Sequence, residues 1–317
     1  MGINIIRTED NMKQVTYLLV AFALFACNTK TAPIEKVITK RVSSIVLDND
    51  TTISIKYQYN SQGLLSSILR HDYQGSDTSK SWYALTIPVY DSSSKLIALQ
   101  FGIADTIPQV TDTVAHYEYK IGLITRIYYP LSRFYGGRFV DSLVYDGDNK
   151  VKKIYTYGLD TGDRDTTLYS LEWNDKKLTK LNTGYSNPLV CGRENSYTYD
   201  NKVNIFTGVN SAFYIFNVHN ALYPSYFFPQ YDFPFKGNNC LNERSNNSGT
   251  CLNYFPHEYT YSYQYDQDNY PEKITFTNMQ GTDTIKYHFT VYYENNTLNL
   301  SLKDKKVAHK VMNFELK

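Results

Sequence analysis

From residue 50 onward, apolar and polar residues alternate in short runs. Ile53, Ile55, Tyr57 and Tyr59 fall on one face of an extended segment, and Ser54, Lys56 and Gln58 on the other. A period of two predicts a β-strand with one buried face. The run stops at Asn60-Ser61-Gln62-Gly63 and resumes with Leu65 and Ile68. Asn, Asp and Gly tolerate the positive φ that tight hairpin turns need. The segment therefore predicts a strand, a turn and a returning strand.

The same phrase recurs along the chain. Tyr90-Asp91 leads to Leu96 and Leu99, Tyr119-Lys120 to Ile124 and Ile127, Tyr145-Asp146 to Val151 and Ile154, Trp173-Asn174 to Leu178 and Leu181, and Tyr199-Asp200 to Val203 and Ile205. Later copies run from Tyr265-Asp266 to Pro271 and Ile274, and from Tyr293-Glu294 to Leu298 and Leu300. The aromatic anchors Tyr59, Tyr90, Tyr119, Tyr145, Trp173 and Tyr199 lie 31, 29, 26, 28 and 26 residues apart. Two strands per unit give roughly sixteen strands. The expected fold class is all-β: a long antiparallel meander of repeated hairpins, curling into a barrel-like or strongly curved sheet. Closure into a barrel would remove the exposed edges that invite aggregation.

The rhythm breaks between Tyr199 and Tyr265. An irregular aromatic insert is expected over 210–256, because prolines at 224, 229 and 234 prevent a regular central strand or helix. Ser211 to Leu222 is compatible with a short helix, and the residues between Cys240 and Cys251 read as a polar loop. One expectation is that the insert plugs or covers the concave face of the sheet. The other is a ligand or partner surface built from Tyr223, Tyr226, Phe227, Phe228, Tyr231 and Phe233.

The phrase, best seen in Tyr57 to Ile68, resembles the tyrosine-aspartate (YD, or RHS-type) repeats of bacterial secreted proteins. It is also similar to a group of Bacteroidota envelope lipoproteins with long-period hairpins and no assigned function. That resemblance implies architecture and location.

Ahead of the repeats, Lys13 precedes an apolar run from Val15 to Ala26, which is too short to cross a bilayer. These are parts of a secretory signal peptide. Leu24-Phe25-Ala26-Cys27 resembles the lipobox of bacterial lipoproteins, which implies that Cys27 is the acylated first residue of the mature protein. Met12 reads as the natural start. The expected organisation is a leader over 1–27, a tether over 28–35 and one hairpin-repeat domain over 36–317. Surface-displayed lipoproteins of Bacteroidota often carry acidic residues just after the cysteine. Here none precedes Glu35, so the periplasmic side of the outer membrane is favoured over the cell surface.

A net charge of +1 lacks the basic footprint of a nucleic-acid binder. The 31 tyrosines suit a half-buried pleated surface, with an apolar ring and a polar tip. With Cys27 acylated, Cys240 and Cys251 are the expected disulfide, closing a loop in an oxidising compartment. Cys191 is then left over, although its pairing with either of them stays open. No histidine has metal-ligand spacing, and there is no Gly-x-Ser-x-Gly elbow or phosphate-cradling glycine loop. No catalytic residue, metal or cofactor is therefore expected. The expected function is a non-enzymatic binding or scaffolding lipoprotein, held to the membrane by its N-terminal lipid, with a glycan or an envelope protein as partner. The alternatives are a secreted glycan or peptidoglycan hydrolase and an outer-membrane β-barrel.

Overall fold

The computed structural model describes residues 35–74, 77–109, 112–132, 137–159, 167–175, 177–185, 192–209, 214–215, 238–248, 257–280 and 283–300. Among them are sixteen strands. The first eight are β1 (Glu35–Leu47), β2 (Asp50–Tyr59), β3 (Leu65–Gln74), β4 (Asp77–Tyr90), β5 (Leu96–Ala104), β6 (Asp112–Lys120), β7 (Leu123–Ser132) and β8 (Gly137–Tyr145). The rest are β9 (Val151–Gly158), β10 (Thr167–Asn174), β11 (Lys177–Tyr185), β12 (Gly192–Tyr199), β13 (Cys240–Ser248), β14 (His257–Tyr265), β15 (Pro271–Gln280) and β16 (Asp283–Leu300). Each strand pairs with its chain neighbours, and β1 pairs antiparallel with β16. The meander is a closed barrel, not an open curved sheet.

Four turns are built alike. Asn60, Asp91, Asp146 and Asp266 each accept, through Oδ1, the amides two and four residues on, at 2.8–3.0 Å. The residue three positions on adopts positive φ: Gly63 81°, Ser94 64°, Asn149 61° and Asn269 65°. This is a turn followed by a left-handed residue that forms a bulge. The pairing register slips beside it, at Tyr59, Tyr90, Tyr145 and Tyr265.

The slip disturbs the ladder where the returning strand begins, and the next hairpin's aromatic anchor meets a carbonyl there. Tyr90 Oη donates to the Leu65 carbonyl at 3.0 Å, Tyr119 to Leu96 at 2.8 Å and Tyr145 to Ile124 at 2.5 Å. Tyr263 donates to Cys240 at 2.7 Å and Tyr293 to Pro271 at 2.8 Å. Tyr59 reaches Val42, at the register slip of β1. Trp173 performs the same task with its indole Nε1, which donates to the Val151 carbonyl at 2.7 Å. The repeat thus requires a flat side chain with a donor at its tip. Burial pushes the Tyr119 phenol up to about 12, so it remains a protonated donor.

Two expected copies of the phrase are not hairpins. Val203 and Ile205 do not begin a returning strand, and β12 pairs instead with β13. The segment after Cys240, expected as a polar loop, runs as strand β13, because Glu243 and Ser245 alternate with Asn242 and Arg244 between the inside and the outside. The expected turn at Glu294 to Asn296 is also absent. β16 continues straight to Leu300 because β1 supplies a ladder along its length.

The turns after β2, β4, β6, β8, β10 and β14 lie at one end of the barrel, here the near end. Glu35 and Leu300 are paired there as well. The seam between β1 and β16 is stapled at this end: Lys40 Nζ lies 2.5 Å from Asp266 and 2.8 Å from Asp268, in the turn between β14 and β15. Burial pushes the Asp266 carboxyl up, but Lys40 and the amides of Tyr270 and Asp268 outweigh it and hold the carboxyl below its ordinary value of 3.8.

Three outcomes follow. Tyr90→Phe leaves the Leu65 carbonyl without its donor and is expected to cost about 1–2 kcal/mol in denaturant unfolding; no change would remove the anchor bond from the account. The turn Ile121-Gly122 has φ of 52° and 80°, and a β-branched residue is strained there. Ile121→Asn is expected to raise the melting temperature. Lys40→Met should lower stability by about 1 kcal/mol or less at neutral pH. A depressed carboxyl pKa contributes stability that is present above its unfolded value and lost as pH falls through the folded one. The Lys40→Met deficit, followed by thermal melts, should therefore shrink as pH drops below 3.8.

Candidate functional site

Alternation divides every strand between lumen and outer wall, and the ladder shows which residues share each side. Inside, Ile45, Ile55, Arg70, Ala84 and Ile103 form one row across β1 to β5. Tyr261, Phe276 and Tyr287 form another across β14 to β16. Outside, Ser262, Thr275 and His288 are aligned, as are Asn242, Thr260, Thr277 and Lys286. The lumen is therefore mainly apolar and aromatic, and this part of the outer wall is polar.

The near end of the lumen is occupied by the chain itself. After Tyr199 the chain turns inward, and Ile205, Phe206, Val209 and Ile215 are buried in the core. Phe206 packs edge-on against Tyr57, with ring centroids 5.8 Å apart. Tyr117 Oη donates to the Tyr214 carbonyl at 3.1 Å, and the hydroxyls of Tyr145 and Tyr214 are 2.8 Å apart. Tyr214 and Ile215 are helical and lie in the stretch expected as a short helix.

Asp200 ties this plug to the barrel. Its Oδ1 accepts the amides of Lys202 at 3.0 Å and Asn239 at 3.1 Å, and its carbonyl accepts Lys177 Nζ at 2.9 Å. Its Oδ2 accepts the side chains of Tyr265 and Asn239. Asn239 in turn donates to the Val203 carbonyl at 2.8 Å and accepts the Ile205 amide at 3.0 Å. The plug thus starts and finishes at one knot of hydrogen bonds, where β12 gives way to β13.

Toward the far end, inward positions carry polar groups. Arg70 Nη2 donates to Asp72 Oδ2 at 2.8 Å, with side chains only 2% and 1% exposed. The Arg70 guanidinium also lies 5.8 Å from the Trp82 ring centroid. Asp141 is buried, and its two oxygens accept Thr156 Oγ1 at 2.5 Å and Tyr129 Oη at 2.7 Å. Burial raises the Asp141 carboxyl above its ordinary value, against the pull of these two donors. Both oxygens are engaged in the wall, so Asp141 reads as a cross-strand tie. Nearer the mouth, inward Tyr185 and Ile285 are 38% and 43% exposed, and Arg193, opposite Thr183 in the ladder, is exposed as well. The described part of the site is a barrel closed below by its own chain, with a mixed aromatic and polar rim above. Among the described residues no group of three or more His, Cys, Asp or Glu is placed to hold a metal ion.

Cys27, Cys251, Tyr223, Tyr226, Phe227, Phe228, Tyr231 and Phe233 lie outside the described residues. Cys240 begins β13, buried, and its Sγ donates to the Asn242 carbonyl at 3.4 Å. The inward charges Arg70, Asp72, Asp141 and Glu243 were not singled out from the sequence. For Arg70, Asp72 and Asp141 the available signal was position: they fall in step with an apolar inward series, as in Ile68-x-Arg70-x-Asp72, whereas Glu243 has no such series around it.

No family model matches the chain, and no curated protein matches it. Among solved structures, the chain is similar to a porin-like protein from Bacteroides uniformis at 15% identity, with a TM-score of 0.48, over 84% of this chain and 99% of that one. It is also similar to a porin-like protein from Bacteroides vulgatus at 11% identity, with a TM-score of 0.40, over 80% of this chain and 99% of that one.

Breaking the Arg70–Asp72 pair by Arg70→Met should cost about 3–5 kcal/mol, because a carboxylate is left buried. Arg70→Met with Asp72→Leu should restore most of that loss, as read by denaturant unfolding. Asp141 titrates with the opposite sign to Asp266: a raised pKa contributes most at low pH, and the contribution fades as pH rises through the folded value. Asp141→Asn should therefore gain on wild type as pH rises above 3.8 in thermal melts.

Proposed function

We propose that the chain is a lipid-tethered envelope protein whose plugged barrel stands in water and acts as a non-enzymatic binding or scaffolding module. The observation that carries this reading is the outer wall of β10 to β16. Outward residues there include Glu172, Lys180, Glu194, Arg244, Glu258, Thr260, Ser262, Lys273 and Lys286. Lys180 and Glu194 pair at 3.2 Å with both side chains well exposed. A lysine or arginine facing lipid at the bilayer midplane costs about 2–4 kcal/mol. A wall with such residues on successive strands is suited to water. The plug at the near end argues in the same direction, since it obstructs a through-going channel.

A second reading is supported by the closure itself. An even number of antiparallel strands without a free edge is what a barrel spanning an outer membrane requires. On that reading an apolar outer belt would have to run round the barrel, and the wall of β10 to β16 offers none at its centre.

The test is metabolic labelling with a radioactive fatty acid, together with alkaline extraction of membranes. On the proposed reading wild type incorporates label and Cys27→Ala does not. An unlabelled wild-type protein that still resists alkaline extraction would favour the spanning barrel.

A further inference from the structure

The outer wall is not polar everywhere. On β4 the outward series is Tyr83, Leu85, Ile87 and Val89, flanked by Leu69 on β3 and Ala98 on β5. His71 and Tyr83 stack on it with ring centroids 4.3 Å apart. Polar and charged residues border the patch: Lys56 lies opposite Leu69 on β2, and His116 and Glu118 lie beyond it on β6. The patch runs to the near end of the barrel, where Ile97 at the start of β5 is 39% exposed and Ile121, at the tip of the following turn, is 94% exposed. Ile121 is also the strained residue of that turn, at φ 52°. A type I′ turn prefers Asn or Gly at this place. Strain held at an exposed apolar tip is more readily explained by what the tip touches than by stability.

Where the chain enters the barrel says what that is. β1 starts at Glu35, at the same near end and two strands from β3. The seven residues 28–34 between Cys27 and Glu35 let the two ends lie at most about 28 Å apart when fully extended. An acylated Cys27 would therefore keep the near end within tether reach of the bilayer; the turn after β6 and strand β12 are each five strands from β1 in opposite directions, so the apolar patch, not the position of β1, sets which side turns to the lipid. Resting on the lipoprotein reading above, we infer that the β3–β5 wall and the Ile121 turn form a membrane-contact face. The occupant is the lipid surface itself, touched by Ile97 and Ile121, while the far mouth points away from it and is left free for a partner.

The test uses the full, processed chain on vesicles of phosphatidylethanolamine and phosphatidylglycerol with brominated acyl chains, which quench nearby indoles. Tryptophan is placed singly by Ile97→Trp, by Ile121→Trp, and by Thr198→Trp on the exposed outer face of β12, half-way round the barrel at the same height. Trp82 and Trp173 give a common background. Added fluorescence quenched at 97 and 121 but not at 198 is the expected result. Quenching at none of the three overturns the inference. Quenching at all three also overturns it, because the barrel would then lie within the lipid. Fatty-acid labelling of the same preparations separates the two proposals. With label present and no quenching, only the contact face falls; without label, the tether falls and takes the contact face with it.

Discussion

The barrel depends on one repeated interaction: an aromatic donor at the end of a strand, bonded to a carbonyl at the start of the preceding hairpin's return. The turn creates the need for it. An Asx-type cap and a left-handed residue close the hairpin tightly, but the bulge disturbs the ladder where the next strand begins. A buried carbonyl left there without a partner would cost as much as a lost hydrogen bond. Tyr90, Tyr119 and Tyr145 supply the missing donor from the neighbouring hairpin, and Trp173 supplies it with nitrogen in place of oxygen. Each unit therefore completes the one before it. Closure of β1 on β16 extends the same logic to the seam, where Tyr59 completes Val42 and Lys40 clamps the last full turn.

A barrel of this kind has to fill its own interior. Inward tyrosines and aliphatic residues do much of this, and the segment after Tyr199 does the rest at the near end. Its residues could not be one more hairpin, because Ile205 and Phe206 are drawn into the lumen against Tyr57 and the chain is held there by Asp200 and Asn239. The far half keeps polar groups inside, among them Arg70 paired with Asp72, and Asp141 with Thr156 and Tyr129. The Asp141 tie spans β7, β8 and β9 and fixes their register, whereas Arg70 and Asp72 pair two residues apart on β3.

Much of this was legible from local pattern. The period-two alternation and the Tyr-Asp phrase gave the strands, the turns and the all-β meander, because both arise from interactions a few residues apart. What was not legible depends on distant partners. Nothing near Val203 says that its segment turns into the lumen, and nothing near Asn295 says that β1 waits to extend the last strand. The Cys240 segment looked like a loop because its side chains are small and polar, yet such residues suit a strand whose outer face is polar and whose inner Glu243 and Ser245 lie in a mixed lumen. Closure itself is a property of the two ends of the chain and has no local signature. The aromatic residues from Tyr223 to Phe233 stand as a sequence-based expectation only.

The central claim is that the wall of β10 to β16 faces water and that membrane attachment is by a tether. The most direct measurement replaces residues 1–27 with a cleavable export signal and asks whether the released chain stays in solution without detergent. The account predicts a monodisperse protein with a β-sheet circular dichroism spectrum and a cooperative melt. A chain that aggregates unless detergent is present, and folds only in micelles or vesicles, would contradict it and identify the wall of β10 to β16 as lipid-facing.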